Sequence, residues 1–287
     1  MYPRGSHMRA AVCIALLLIA LSSSQASRPA AADWKSLAPG LELGWIVATS
    51  KSTVGDSRIA VVRIDPALWE LELGGRSKTG EAAGYSAREW ARIHGLAVAI
   101  NAGMFGSDYT THVGYMEYRG HVNSHGINGY QSVAAFDPRN PENDARFRIF
   151  DLDAPGITIE TIRRDYASVV QNLRLVKRPG VNRWSKQDKK WSEAALGEDT
   201  EGRILFVFSR SPFSMHTMNS ELLSAGIGLV ALQHLEGGPE AQLYLHVGDV
   251  ELELTGSYES SYEESDENTI AWPIPNVLGV TKRVLVE

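Results

Sequence analysis

The stretch Gly228-Leu-Val-Ala-Leu-Gln-His-Leu-Glu-Gly-Gly-Pro-Glu-Ala-Gln-Leu-Tyr-Leu-His-Val247 decides how this chain reads. An apolar run from Gly228 to Leu232 enters a polar break, His234 to Glu240, and a second apolar run, Leu243 to Val247, leaves it. Such a pattern reads as a buried strand, a sharp Gly-Gly turn and another strand. Successive side chains alternate on an extended backbone, so His234 and Glu236 point to one face. Gly237 and Gly238 directly after a carboxylate permit a tight bend or the close approach of a ligand. One wall of an active site is expected here; the plain alternative is a β-turn with a solvated Glu.

Outward from this stretch the pattern is strand-rich. Leu41–Val47, Arg58–Ile64 and Leu68–Leu73 resemble an antiparallel meander, and the third alternates apolar and polar residues. Ser86 with Glu89 three positions on forms a capping box, so a helix is expected over Ala87–His94 with Gly95 as its C-cap. Leu96–Ile100 then reads as a buried strand delivering Asn101-Ala-Gly-Met-Phe105. Asn101 at that strand end could address a ligand with Gly103 making room beside it, or could tie down its own turn. Further strands are read at Ser132–Phe136 and Arg203–Phe208, and a helix through Asn219–Ser224 capped by Ser214 or Thr217. The fold class expected is α+β, a single domain with a mixed, largely antiparallel β-sheet core and a few packed helices.

The N-terminus carries two processing signals. Residues 1–8 have the form of a vector-derived tag, and residues 9–26 that of a secretory signal peptide: Arg9, the apolar run Ala10–Leu21, and small residues before a cut after Ala26. The apolar run is shorter than the roughly 20 residues of a membrane span, so a periplasmic or secreted protein without a stable span is expected. Residues 27–39 read as a leader and 40–287 as the folded domain. The single cysteine, Cys13, leaves with the signal, removing disulfide and thiol chemistry. Arg4 and Arg9 leave too, so the net charge goes from −6 to −8, which disfavours nucleic acid as a partner. Nothing in the pattern fixes an oligomeric state.

Several polar residues remain open. His121 and His125 have metal-binding spacing on a helix, and with His112 would support a metal-dependent hydrolase. However, Gly120, Asn123, Ser124 and Gly126 oppose helix there, so loop histidines facing solvent or substrate are preferred and no metal or cofactor is expected. Gln171 lies in strand context, followed by Arg174, Lys177 and Arg178, which could hold a phosphate or form a solvated basic turn. Trp184, Trp191 and Tyr258 are sugar platforms or surface covers. The Glu259–Glu267 segment reads most simply as a mobile acidic loop.

Four stretches in order resemble the phosphodiester glycosidase family, which includes a lysosomal uncovering enzyme and exopolysaccharide-related bacterial proteins. They are Asn101-Ala-Gly-Met-Phe105, the Gln171–Gly180 strand and turn, Gly197–Phe208, and Leu235-Glu-Gly-Gly-Pro-Glu240. Two departures stand out. Glu193 replaces the Arg that commonly precedes the third motif, and Glu236 replaces the Asp of the Gly-Gly motif. The resemblance implies an exported hydrolase of glycosyl-phosphodiester or related glycosidic bonds in envelope or extracellular glycans, acting on a carbohydrate or sugar-phosphate substrate. It implies Glu236, Asn101, His234 and Glu193 as catalytic residues, with Gly103, His112, Gln171, Arg174, Gly237 and Gly238 binding substrate. A glycosidase of this kind pairs a carboxylate with an oxocarbenium-like transition state. A non-catalytic glycan-binding or exopolysaccharide-assembly protein on the same fold is the competing expectation.

Overall fold

A computed structural model describes Met1 and residues 32–81, 83–142 and 144–284; the expected tag and signal peptide lie outside these residues, apart from Met1. Among the described residues eighteen strands form three sheets, and every pairing among them is antiparallel. The expectation of a mixed sheet is corrected on that point. No connection carries a strand back parallel to its hydrogen-bonded neighbour; where a helix joins two strands of one sheet, as Met215–Ser224 and Ile159–Asp165 do, a third strand lies between them.

The largest sheet has eight strands. In spatial order it runs Asp33–Ala38, Leu41–Val47, Arg58–Ile64, Ile204–Phe213, Trp191–Asp199, Leu229–Gly237, Arg174–Lys177 and Val181–Asn182. Asp33–Ala38, within the segment read as a leader, is its edge strand. A five-stranded sheet joins Val250–Thr255, Gln242–Val247, Val98–Asn101, Asn276–Lys282 and Trp69–Gly75. The other five-stranded sheet joins His121–Ser124, Met116–Tyr118, Tyr166–Asn172, Ser132–Pro138 and Phe147–Asp151.

One core draws from all three sheets. Ile204, Phe206 and Phe208 of one strand meet Ile100, Leu243 and Leu278 of the second sheet and Phe136 and Val170 of the third. The alternate residues Leu205 and Val207 face the opposite way, onto Met215, Met218 and Leu222 of the helix Met215–Ser224. This two-sided burial explains why that strand is an unbroken apolar run rather than an alternating one. Each sheet has its own covering helix: Ala87–His94 packs Trp90 on Ala99 and Val277, and Ile159–Asp165 packs Ile162 with Val133 and Val169. The Ser86 capping box and the Gly95 left-handed cap are both present as expected. Among the described residues no helix is long and apolar enough to cross a membrane.

Candidate active site

The strand Leu229–Gly237 ends where the three sheets meet. It does not turn back as a hairpin: a 3-10 turn, Gly238–Glu240, carries the chain into Gln242–Val247 of the second sheet. Near this end the pairing slips. Ala195 lies opposite His234 and Ala194 opposite Glu236, so Leu235 is the extra residue of a bulge and sits in the core. Bulges of this kind re-aim neighbouring side chains. His234 and Glu236 line one cleft of about 220 Å³, with Met104, Tyr130, Leu173, Trp191, Met215, Gly237 and Glu259. That is smaller than the roughly 300–1,000 Å³ of drug-sized pockets, and on the scale of one sugar ring.

The polar floor is a chain of contacts. The Glu193 carboxylate meets His234 Nδ1 at 2.6 Å and accepts from Trp191 Nε1 at 2.7 Å, so both its oxygens are engaged. Burial alone would lower the affinity of the His234 ring for a proton, but the Glu193 charge outweighs it and the net shift is upward. Glu236 is only 8% exposed. Its one hydrogen bond among the described residues is accepted from the Gly237 N–H at 3.1 Å. Burial pushes its carboxyl up to about 8, against the opposing pull of His234. Glu236 is therefore mostly neutral at ordinary pH and available as a proton donor. Beside it, Glu240 is also raised, by burial first, and accepts from the Tyr109 hydroxyl at 3.2 Å.

The remaining expected residues fall into two groups. Asn101, Gly103, His112 and Gln171 surround the cleft without lining it. Asn101 donates to the Glu240 carbonyl at 2.9 Å and accepts from the Gln242 N–H at 2.7 Å, pinning the turn that follows Glu236. Gly103 has φ +153°, and a Cβ there would meet His112 Cε1 at 2.3 Å, so it brings the Met104 segment against His112. His112 is buried and pairs through Nε2 with the Gln171 carbonyl at 2.8 Å; burial holds its pKa down to about 4. Gln171 donates to the Asn128 and Tyr130 carbonyls at 3.1 and 2.8 Å, fixing the loop that presents Tyr130. These four hold the frame: the Asn101 and Gln171 amides are occupied in doing so, whereas His112 uses Nε2 and leaves Nδ1 buried without a partner among the described residues.

Arg174 belongs elsewhere. Its guanidinium is held by Asp151 at 3.0 Å and Asp153 at 2.8 Å, and it is not among the cleft residues. Lys177 also pairs with Asp153, and Arg178 with Glu198. Each of the three expected phosphate-binding cations thus has a carboxylate partner within the fold. His121 hydrogen-bonds Ser77 from a strand, and among the described residues no cluster of His, Cys, Asp and Glu is arranged to hold a metal ion.

Glu259 was not singled out by sequence reasoning. Its segment is folded rather than loose: the 259 backbone bridges Trp191 and Glu263, and Arg210 grips the Asp266 carboxylate and the Asp266 and Asn268 carbonyls. Gly238, at φ +62°, lies so close that a Cβ would sit 2.7 Å from the Glu259 carboxylate. The paired glycines were the available signal, since close approach is one reason for glycine after a strand.

A phosphodiester glycosidase family profile matches residues 94–281, which include every residue lining the cleft and strands of all three sheets. The chain belongs to the phosphodiester glycosidase family. Its members are glycosidases, and glycosidase-type hydrolysis is the activity this membership supports. Among solved structures, the chain is similar to the catalytic domain of zebrafish N-acetylglucosamine-1-phosphodiester α-N-acetylglucosaminidase, auto-inhibited by its pro-peptide. That match has a TM-score of 0.62 at 14% identity, covering 89% of this chain and 88% of that one. A hypothetical protein from Synechocystis gives 0.57 at 15% identity, covering 88% of this chain and 64% of that one. At these identities the likeness concerns the fold. No curated protein sequence matches the chain.

Proposed function

We propose that this chain is an exported hydrolase of glycosyl-phosphodiester bonds in envelope or extracellular glycans, with Glu236 as its proton donor. The observation that carries this reading is the neutral Glu236 carboxyl buried beside a His234–Glu193 pair in a sugar-sized cleft. A carboxylate at this position would repel a phosphate, whereas a carboxyl can donate to it. Positioned acids of this kind are worth about 10²–10⁴-fold in rate.

In the proposed reaction the bond from the anomeric carbon to the phosphate oxygen breaks, and its electron pair leaves with the phosphate. Glu236 gives its proton to that departing oxygen. His234, held as an imidazolium by Glu193, offsets the phosphate charge. The ring is oxocarbenium-like at this point, and Glu240 and Glu259 supply negative charge near it. Water then adds to the anomeric carbon and returns a proton to Glu236, which closes the cycle. Trp191 and Tyr130 provide flat faces for the sugar.

The test is release of free sugar from N-acetylglucosamine 1-phosphate esterified with a simple alcohol. Turnover by the purified protein, lost in Glu236→Gln, is the expected result. Sugar binding that persists in both proteins with no turnover in either would replace the enzyme reading with glycan binding alone.

A further inference from the structure

The charges facing the cleft do not balance for the substrate just proposed. The Glu193–His234 pair cancels itself. Glu236 is neutral over most of the working pH range. What remains is Glu259, which lines the cleft, and Glu240, whose proton affinity is raised in part by the Glu259 charge. No Lys or Arg stands among the lining residues. Arg174, Lys177 and Arg178 are occupied by Asp151, Asp153 and Glu198, and Arg210 by Asp266; Lys190, next to Trp191 in sequence, is not among the lining residues. A phosphodiester adds one more negative charge to a surface that is already net negative, and like charges in a small, partly desolvated space repel strongly.

Two carboxyl groups point to what is missing. The Glu259 carboxylate makes no hydrogen bond or ion pair with any described residue, although it is half-buried against Gly238. The second carboxyl oxygen of Glu236, a side chain more than nine-tenths buried, likewise has no partner among the described residues and faces the same space. Neither residue has a carboxyl oxygen that is both sealed from water and without a partner, so these unpaired oxygens are open to a donor on a bound ligand.

We propose that the substrate carries an ammonium group close to its glycosidic phosphate, and that Glu259, backed by Glu240, receives it. A zwitterionic substrate of this kind brings its own counter-charge: the ammonium meets the acidic wall while the phosphate faces His234 and the Glu236 carboxyl. The ammonium has two chemical sources, a free amine on the sugar or an amino-alcohol on the far side of the phosphate. The inference rests on the cleft being the glycosidase site.

Four synthetic diesters separate these cases: N-acetylglucosamine 1-phosphate and glucosamine 1-phosphate, each esterified with ethanol or with ethanolamine. The expected result is a kcat/KM at least about tenfold higher for one or more ammonium-bearing compounds than for the N-acetyl ethyl diester. Which compound gains identifies whether the amine sits on the sugar or beyond the phosphate. Glu259→Gln should bring the ratio close to one, and Glu259→Asp should restore part of it. Equal or better turnover of the N-acetyl ethyl diester overturns the proposal while leaving the hydrolase reading intact. Turnover that survives Glu236→Gln sinks the hydrolase reading instead. If none of the four is cleaved, calorimetric binding to the wild-type protein decides: tighter binding of the ammonium compounds, weakened by Glu259→Gln, supports the inference, and indifference to the amine overturns it.

Discussion

Glu236 couples the chemistry of the cleft to the stability of the fold. Burial raises its pKa from an ordinary 4.5 to about 8, so the folded chain holds this proton more tightly than the unfolded one. The sign follows directly. The contribution is fully present below about pH 4.5 and is lost as pH rises through 8, a difference of order 5 kcal/mol. Thermal unfolding followed from about pH 5 to pH 9 should show Tm falling with pH, and Glu236→Gln should flatten that slope while abolishing turnover. A variant that keeps the full slope would mean that the proton is held elsewhere. Glu193 is tested through its partner. In Glu193→Gln the His234 ring loses the charge that favours its protonated form, so its NMR titration should move to lower pH. Stability should fall by about 3 kcal/mol, as when one member of a buried pair is removed. The shared face of His234 and Glu236 was legible from their spacing. The neutral state of Glu236 was not, because it depends on Met104, Tyr130, Leu173 and Met215 arriving from four distant segments.

At the scale of elements, local chemistry was the most readable. Ser86, Glu89 and Gly95 delimit their helix within ten residues of sequence, and the structure follows them. Arg174 shows the opposite case. Its strand position was visible, but Asp151 and Asp153 lie more than twenty residues away, and no local pattern assigns them as its partners. The acidic segment was read only in part for the same reason. Glu263, Glu264, Asp266 and Glu267 are exposed, as a solvated loop would have them, but the Trp191 strand and Arg210 anchor the segment so that Glu259 lines the cleft. The turn that connects these parts makes a direct prediction. Gly238→Ala must place a methyl group against the Glu259 carboxylate on a backbone at φ +62°. It should cost about 1–2 kcal/mol in denaturant unfolding and reduce kcat/KM more than Gly248→Ala. The latter also has positive φ, but a Cβ there meets nothing within 4 Å.

The whole molecule places its reactive strand at a junction. Sequence periodicity identified most strands, but their division among three sheets rests on long-range pairing. Leu229–Gly237 and Gln242–Val247 are nearly consecutive, yet they belong to different sheets. A hairpin would have been the simpler reading of two strands around a Gly-Gly turn. Instead Asn101, from the second sheet, holds the turn from beneath through two hydrogen bonds. The family's most recognisable stretches are thus brought together at one place: Asn101 fixes the turn, Gln171 fixes the Tyr130 loop, and Glu236 faces the space between. Glu193, the residue that departs furthest from the common pattern, serves His234.

Two thioethers form part of the wall of this cleft, Met104 and Met215, and they define how the protein would respond to oxidants. With its one cysteine at position 13, sulfur oxidation in the folded domain falls on methionine. Met104 is the more accessible of the two, whereas Met116 and Met218 are almost wholly buried. Conversion of Met104 to its sulfoxide would put a polar, rigid group where the sugar meets the wall. Mild peroxide should therefore silence the protein in step with the gain of one oxygen on the Met104 peptide, measured by mass spectrometry. Methionine sulfoxide reductase should restore activity, and Met104→Leu should delay its loss.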